Sequence, residues 1–393
     1  MDSNGRKIWT NSEAWSLWEP LPDTNKPGLP YRPGLRLSIR RHMPRPPFGN
    51  YYKSERPTRT EADRQEKFHR TQSEWCLMRP PSISPPHPDP VVEGLQVIDE
   101  VACEDGRGAQ LVRCRLDTDP ERIMVAKIYD AFYYDYMLPV GGPCDVTRVA
   151  DNHYSREAAA YEALADAKAD GRLVPKYYGS WTFNLPVPDA LQSFNSSSSD
   201  STIRPVHMIL MEWIEGISID KLLQDERTVK SIEPALRLKI LAKAMEVFCM
   251  VESCGVRHND LAPRNVVLSP AYGWTTRMPA VFLIDFNVAD TTRSPYYQGK
   301  KVTPPLPINP RHRFFHHYMP EFGRWIPRRY RKSTTFNGWL STRWAPDEEG
   351  FLLPNPTDRE YYENEVYYEC VPHGPDSPLW TPGCGRPFDD DEY

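Results

Sequence analysis

No run of apolar residues in this 393-residue chain approaches the roughly 20 needed to cross a bilayer, and no signal peptide opens it. Its eight cysteines contain no C-x-x-C pair, which argues against both a disulfide framework and a cysteine zinc site. A charge excess of one sign is also missing. The net charge of −5 creates no field that would draw nucleic acid or acidic lipid. From these absences we expect an intracellular protein, cytoplasmic or nuclear, with no nucleic-acid or membrane partner. Proline, by contrast, is abundant at 41 residues, and it is dense before residue 90.

The chain divides into four parts. Residues 1–90 are rich in Pro, Arg and Trp and read as a largely irregular segment, too polar and proline-broken to build a core. Its exception is Leu35-Arg36-Leu37-Ser38-Ile39-Arg40, whose alternation predicts a strand that can lie against the next domain. Residues 91–213 read as strands with one helix, interrupted by insertions at 130–152 and 193–202. Residues 214–344 read as mostly helical, and 345–393 as an acidic tail rich in Pro and aromatics. Leu238, Leu241, Ala242, Met245, Phe248 and Cys249 keep helical spacing and predict a helix over 233–254, stopped by Gly255. Two further helices are expected, over 311–325 and 336–344. His312 and His316 are spaced to share a metal, with His317 beside them. No acidic ligand accompanies them, so an ordinary packing or surface role is the reading.

The stretch His258-Asn259-Asp260-Leu261-Ala262-Pro263-Arg264-Asn265, followed by Leu283-Ile284-Asp285-Phe286, carries the chemistry. Single Asp or Asn residues in loops are mostly caps and turn formers. The ordered set is more specific: a carboxylate and an amide at the two ends of one short loop, then an apolar strand, Val281 to Ile284, delivering a second acid. A phosphoryl-transfer site needs these groups. A base meets the attacking hydroxyl, and two oxygen ligands hold Mg²⁺ on the phosphates of ATP.

This region resembles the catalytic loop and metal-binding strand of the eukaryotic protein-kinase-like superfamily. The resemblance extends upstream. Arg122 to Tyr129 reads as a strand with Val125, Lys127 and Tyr129 on one face, and it resembles the superfamily's V-A-I-K strand. Without the resemblance, Lys127 would read as an edge-strand gatekeeper. With it, Lys127 has two implied partners, the ATP phosphates and a helix glutamate. Glu157 is the candidate, on a helical stripe with Tyr161 and Leu164; Glu162 is the alternative. Val206 to Gly216 resembles the hinge between kinase lobes, with Met211 beside adenine and main-chain groups of Glu212, Trp213 and Ile214 on its edge. By composition alone it is a core strand. Gly106 and Gly108 lie between expected strands at 95–101 and 111–116, where the superfamily covers phosphate with G-x-G-x-x-G; here the third glycine is replaced by Leu111. Such a hairpin turn is also common for no catalytic reason.

Across about 92–344 the resemblance implies an α+β, two-lobed protein-kinase-like fold: a small antiparallel-sheet N-lobe with one helix, and a mostly helical, abbreviated C-lobe. Two departures stand out. Asn287 replaces the glycine after Asp285-Phe286, and Asn tolerates left-handed backbone next best. We therefore expect altered mobility there rather than lost chemistry. No A-P-E segment and no D-x-W-x-x-G-like helix follow; the chain runs into Thr303-Pro304-Pro305-Leu306-Pro307 instead. In this it resembles the divergent kinase-like proteins of filamentous fungi.

The implied activity is transfer of the ATP γ-phosphoryl group to a hydroxyl, with ATP and Mg²⁺ as cofactors. Lys127 and Glu157 would orient phosphates, and Val125, Gly106 and Gly108 would line the nucleotide site. Asn265 and Asp285 would hold the metal. Asp260 would act as base, Arg264 would neutralise charge, and His258 would shape the loop. Three readings stay open: a protein Ser/Thr kinase, a small-molecule kinase, and a pseudokinase scaffold. The short run Leu261 to Asn265 also resembles the L-A-A-R-N of tyrosine kinases.

Overall fold

The computed structural model describes residues 15–49, 51–53, 59–196, 200–271, 273, 278–299, 306–315, 319–344 and 350–352. Two compact units are present: Met1–Ala159 with Tyr177–Trp213, and Ala160–Lys176 with Ile214–Tyr393.

The first unit is built on six strands: β1 (Arg36–His42), β2 (Val92–Ala102), β3 (Gln110–Leu116), β4 (Asp119–Tyr129), β5 (Tyr177–Pro186) and β6 (Ile203–Glu212). They close into an antiparallel barrel in the order β1-β2-β3-β4-β6-β5. The alternation in β1 works as its sequence predicts: Leu37 and Ile39 are buried, while Arg36, Ser38 and Arg40 are exposed. β1 pairs with β2 along one side (Leu37 opposite Leu95) and with β5 along the other (Arg40 opposite Thr182). The small sheet expected for residues 91–213 is thereby closed by a strand from the preceding segment, which leaves no open edge.

That segment, expected to be too polar and proline-broken for a core, contributes more than a strand. Two short helices, α1 (Glu61–Lys67) and α2 (Gln72–Met78), each begin with a capping box, Thr60 with Asp63 and Thr71 with Glu74. Trp18, Tyr31, Phe68 and Trp75 are buried. Aromatics placed singly bury large areas without setting up any helical or strand period, so no pattern announces them. They dock on the insertion expected at 130–152. Asp130 accepts from Tyr31 Oη at 2.6 Å and pairs with Arg204 at 2.7 and 2.9 Å. Trp75 Nε1 donates to Asp145 at 3.1 Å. The end of the insertion is not a loop. It forms the first turns of helix α3 (Val146–Asp166), and the division between units runs through this helix.

The second unit contains β7 (Ile217–Ser218), α4 (Ile219–Leu223), α5 (Glu226–Ser231), α6 (Pro234–Ser253), β8 (Val256–Arg257), β9 (Val266–Ser269), β10 (Ala280–Leu283), β11 (Asp290–Thr291), α7 (Pro310–Phe314) and α8 (Ser333–Arg343). The six apolar residues that predict α6 are all buried in it, and Gly255 follows the helix with φ +85°. Strands β10, β9 and β7 make one small sheet, and β11 and β8 another. The helix expected over 311–325 is cut short. Only Pro310–Phe314 is helical, 316–318 lie outside the described residues, and Pro320 opens a separate 3₁₀ turn. Proline drives the residue before it out of helical geometry, and Met319 sits at φ −102°, ψ 76°. His316 and His317 also fall outside the described residues. Of the tail, only 350–352 are described.

Candidate active site

Lys127 lies on β4 between β3 and β6, opposite Leu111 and Ile209. An ammonium in so apolar a strand needs a counter-charge. Its Nζ donates to Glu157 Oε2 at 2.6 Å, and Tyr129 Oη donates to the same oxygen at 2.8 Å. Both charged residues are buried. Tyr129 reaches Glu157 because it shares a strand face with Lys127, a signal present in the sequence but not used. The alternative, Glu162, does not take this part. Burial, together with Asp166, pushes its carboxyl up to about 7.

Val125 and Met211 face each other in register across β4 and β6. Glu212 ends β6, and Trp213 is the last residue of the first unit, with the Arg113 guanidinium 5.3 Å from its ring centroid. Ile214 opens the second unit.

Gly106 and Gly108 both take positive φ, +85° and +108°. The turn they make is held from both sides. Gly106 N–H donates to Tyr133 O at 3.0 Å, in the insertion that follows β4. From beneath, the fully buried Gln110 side chain accepts from Glu104 N at 2.8 Å and donates to Glu104 O and Gly108 O, each at 2.9 Å. The amide of Gly106, expected to approach phosphate, is thus spent within the chain.

In the second unit, the loop after β8 is built around buried His258. Asp260 N–H donates to His258 Nδ1 at 3.2 Å, so Nε2 bears the proton and donates to Ile284 O at 2.9 Å. The ring therefore shapes the loop. It also packs edge-on against Phe286 at 4.6 Å, and Phe286 against Tyr161 at 5.3 Å. This aromatic row went unseen in the sequence because its members are far apart in it.

Both carboxylate oxygens of Asp260 accept from a single nitrogen, Arg264 Nη2, at 2.7 and 2.9 Å. Asn265 Nδ2 donates to Asp260 O at 2.9 Å and Oδ2 at 2.8 Å. Arg264 Nη1 also reaches Glu321 at 3.1 Å, a partner with no signal in the sequence. Ile284 N–H donates to Asn265 O at 2.9 Å, so the loop and the end of β10 are joined beside Asp285. Of the described non-glycine residues, three have positive φ, and two of them, Asn259 (+64°) and Asp285 (+68°), are here. Asn259 is steadied by bonds from Nδ2 to Val288 O and Asp290 Oδ2. Asn287, which stands in the glycine's place, keeps negative φ; the left-handed residue is Asp285, two positions earlier. The bend thus acts on the acid directly.

Chemically, Asn265 Oδ1 and the Asp285 carboxylate are hard oxygen donors of the kind Mg²⁺ takes. Among the described residues no cluster of three or more His, Cys, Asp or Glu suited to a metal occurs, at this site or elsewhere. No helix of the described residues is long and apolar enough to cross a membrane.

No family model matches the chain. Over 133 residues it is 26 % identical to a dual specificity protein kinase, zak2, of Dictyostelium discoideum. That match takes in 33 % of this chain and 21 % of the relative, so the chain spans about a fifth of that protein's length. The kinase domain of Mycobacterium tuberculosis PknI is a structural match over 50 % of this chain and 60 % of its own, with TM-score 0.29 and 16 % identity. Neither match comes from a filamentous fungus. The sequence similarity is thus to a protein kinase, and it is weak and confined to a third of the chain.

Proposed function

We propose that the chain is an ATP-dependent phosphotransferase of the protein-kinase type, acting on a hydroxyl of protein Ser or Thr. The observation that carries this reading is the loop from His258 to Asn265, with Asp285. A carboxylate is held by an amide and a guanidinium, next to an acid in left-handed backbone. Unusual backbone of this kind collects at functional sites. Asp260 takes the proton of the acceptor hydroxyl as its oxygen attacks the γ-phosphorus and the β–γ bridging oxygen departs with ADP. Arg264 and Asn265 keep the carboxylate aimed, and Lys127, held by Glu157, orients the phosphates. Asn265 and Asp285 are the residues that would hold Mg²⁺, which supplies charge neutralisation on the phosphates when bound.

A second reading, a scaffold without catalysis, is favoured by one observation: the glycine turn is bonded to its own chain at Gly106. Incubation with labelled ATP and Mg²⁺, wild type beside Asp260→Asn, separates the two. The enzyme reading expects label on protein for wild type only, with ATP raising the unfolding midpoint of both. No nucleotide-dependent midpoint shift and no label would leave the scaffold reading standing.

A further inference from the structure

A cavity of about 340 Å³ lies on the outer face of the barrel, wholly within the first unit. Its floor is the outward side of three adjacent strands: Arg40 and His42 of β1, Thr182 and Asn184 of β5, and His207 of β6. The register brings these together, since Arg40 stands opposite Thr182 and Thr182 opposite His207. Its roof is the proline-rich strap 81–86. The strap is fixed at both ends: Met43 N donates to Pro85 O at 3.0 Å, and Ser82 N donates to Asp151 Oδ2 at 3.0 Å.

The lining is of two kinds. Pro81, Ile83, Ile203 and Pro205 give an apolar wall, while Arg40 brings positive charge. The Arg40 guanidinium has no ion-pair partner among the described residues. His42 adds no charge. Burial, with His207 and His87, lowers it to about 3, and its nitrogens are engaged with Tyr154 and Thr182. Buried His207 Nδ1 has no hydrogen bond and stands 3.6 Å from Asp151. A space of this size, mostly apolar with a few donors, has the make-up of a small-ligand pocket.

We propose that this cavity binds a small organic anion, a carboxylate or phosphate ester on an apolar body, with Arg40 and Asn184 on the anionic group. The site is separate from the one proposed for ATP. Titration calorimetry with phenyl phosphate, benzoate and neutral phenol tests it, using wild type, Arg40→Glu and Asn184→Trp. Both substitutions fall at exposed positions, and an unchanged unfolding midpoint without probe shows that each variant folds. Saturable binding of at least one anion is expected, weakened about tenfold or more in both variants and unaffected by saturating ATP. Phenyl phosphate binding alone identifies a phosphate ester, and benzoate binding alone a carboxylate. Equal binding of phenol, equal binding by Arg40→Glu, displacement by ATP, or no saturable binding of either anion overturns the proposal.

Discussion

Lys127 meets Glu157 at 2.6 Å and Arg264 meets Asp260 at 2.7 Å, yet the first pair is 7 % and 0 % exposed and the second 54 % and 25 %. Length therefore says little about what each pair does. In the interior an ion pair has lost its hydration, and either partner alone is costly. At the surface water replaces a lost partner, and the pair adds at most about 1 kcal/mol. The first pair is part of how its unit stands up. The second chiefly decides where a carboxylate points.

The largest expected effect follows from breaking the buried pair. Glu157→Ala leaves the ammonium of Lys127 and the hydroxyl of Tyr129 without their shared acceptor. Its cost should be about 3–5 kcal/mol in urea unfolding. Lys127→Met with Glu157→Leu, which removes both charges at similar volume, should recover most of that stability. If the double variant regains stability but transfers no phosphate, the pair is functional as well as structural. Recovery of full transfer would remove Lys127 from the mechanism.

Burial without pairing gives the next effect, through His42. Its folded-state pKa of about 3 lies below the ordinary 6.5, so the folded protein binds fewer protons than the unfolded chain. Stability from this residue is complete above pH 6.5 and is lost as pH falls toward 3. Each pH unit in that window costs about 1.4 kcal/mol. The group faces Tyr154 of α3, Thr182 of β5 and His207 of β6, with Asp151 beyond His207. Unfolding of His42→Gln across pH 4 to 7 should show a flatter acid slope than wild type. The same slope in both would assign the acid sensitivity to other groups.

The two regions also differ in how far they can be read from sequence. β4 and α6 are legible because a single period runs through each, and the loop from His258 to Asn265 because its residue types and spacing are local. The partners of those residues are another matter. Tyr129 was within reach, being two positions from Lys127 on one strand face. Glu321 was not, since it comes from a 3₁₀ turn 57 residues away and leaves no pattern. Nor was the clamp on the glycine turn, which depends on Gln110 folding inward and on Tyr133 arriving from an insertion. Closure of the barrel by β1 was half visible. Alternation marks a strand, but which edges it joins is settled by long-range pairing.

The smallest stability effect should be at Arg264, and there the contrast between the pairs is sharpest. Arg264→Ala removes the Nη2 contact to both oxygens of Asp260 and the Nη1 bond to Glu321, both open to water. Urea unfolding should move by less than about 1 kcal/mol. Asp260 keeps its bonds from Asn265 Nδ2, so it stays near its place with one restraint fewer. Misaiming a catalytic group by a fraction of an ångström can cost on the order of 10²-fold in rate. Transfer should therefore drop well beyond what the stability change explains, with nucleotide affinity nearly intact. Arg264→Lys should recover little, because one ammonium nitrogen cannot bridge Asp260 and Glu321 as the two guanidinium nitrogens do. If Arg264→Ala loses several kcal/mol, the pair is structural after all. If it keeps full transfer, Asn265 alone suffices to hold the carboxylate.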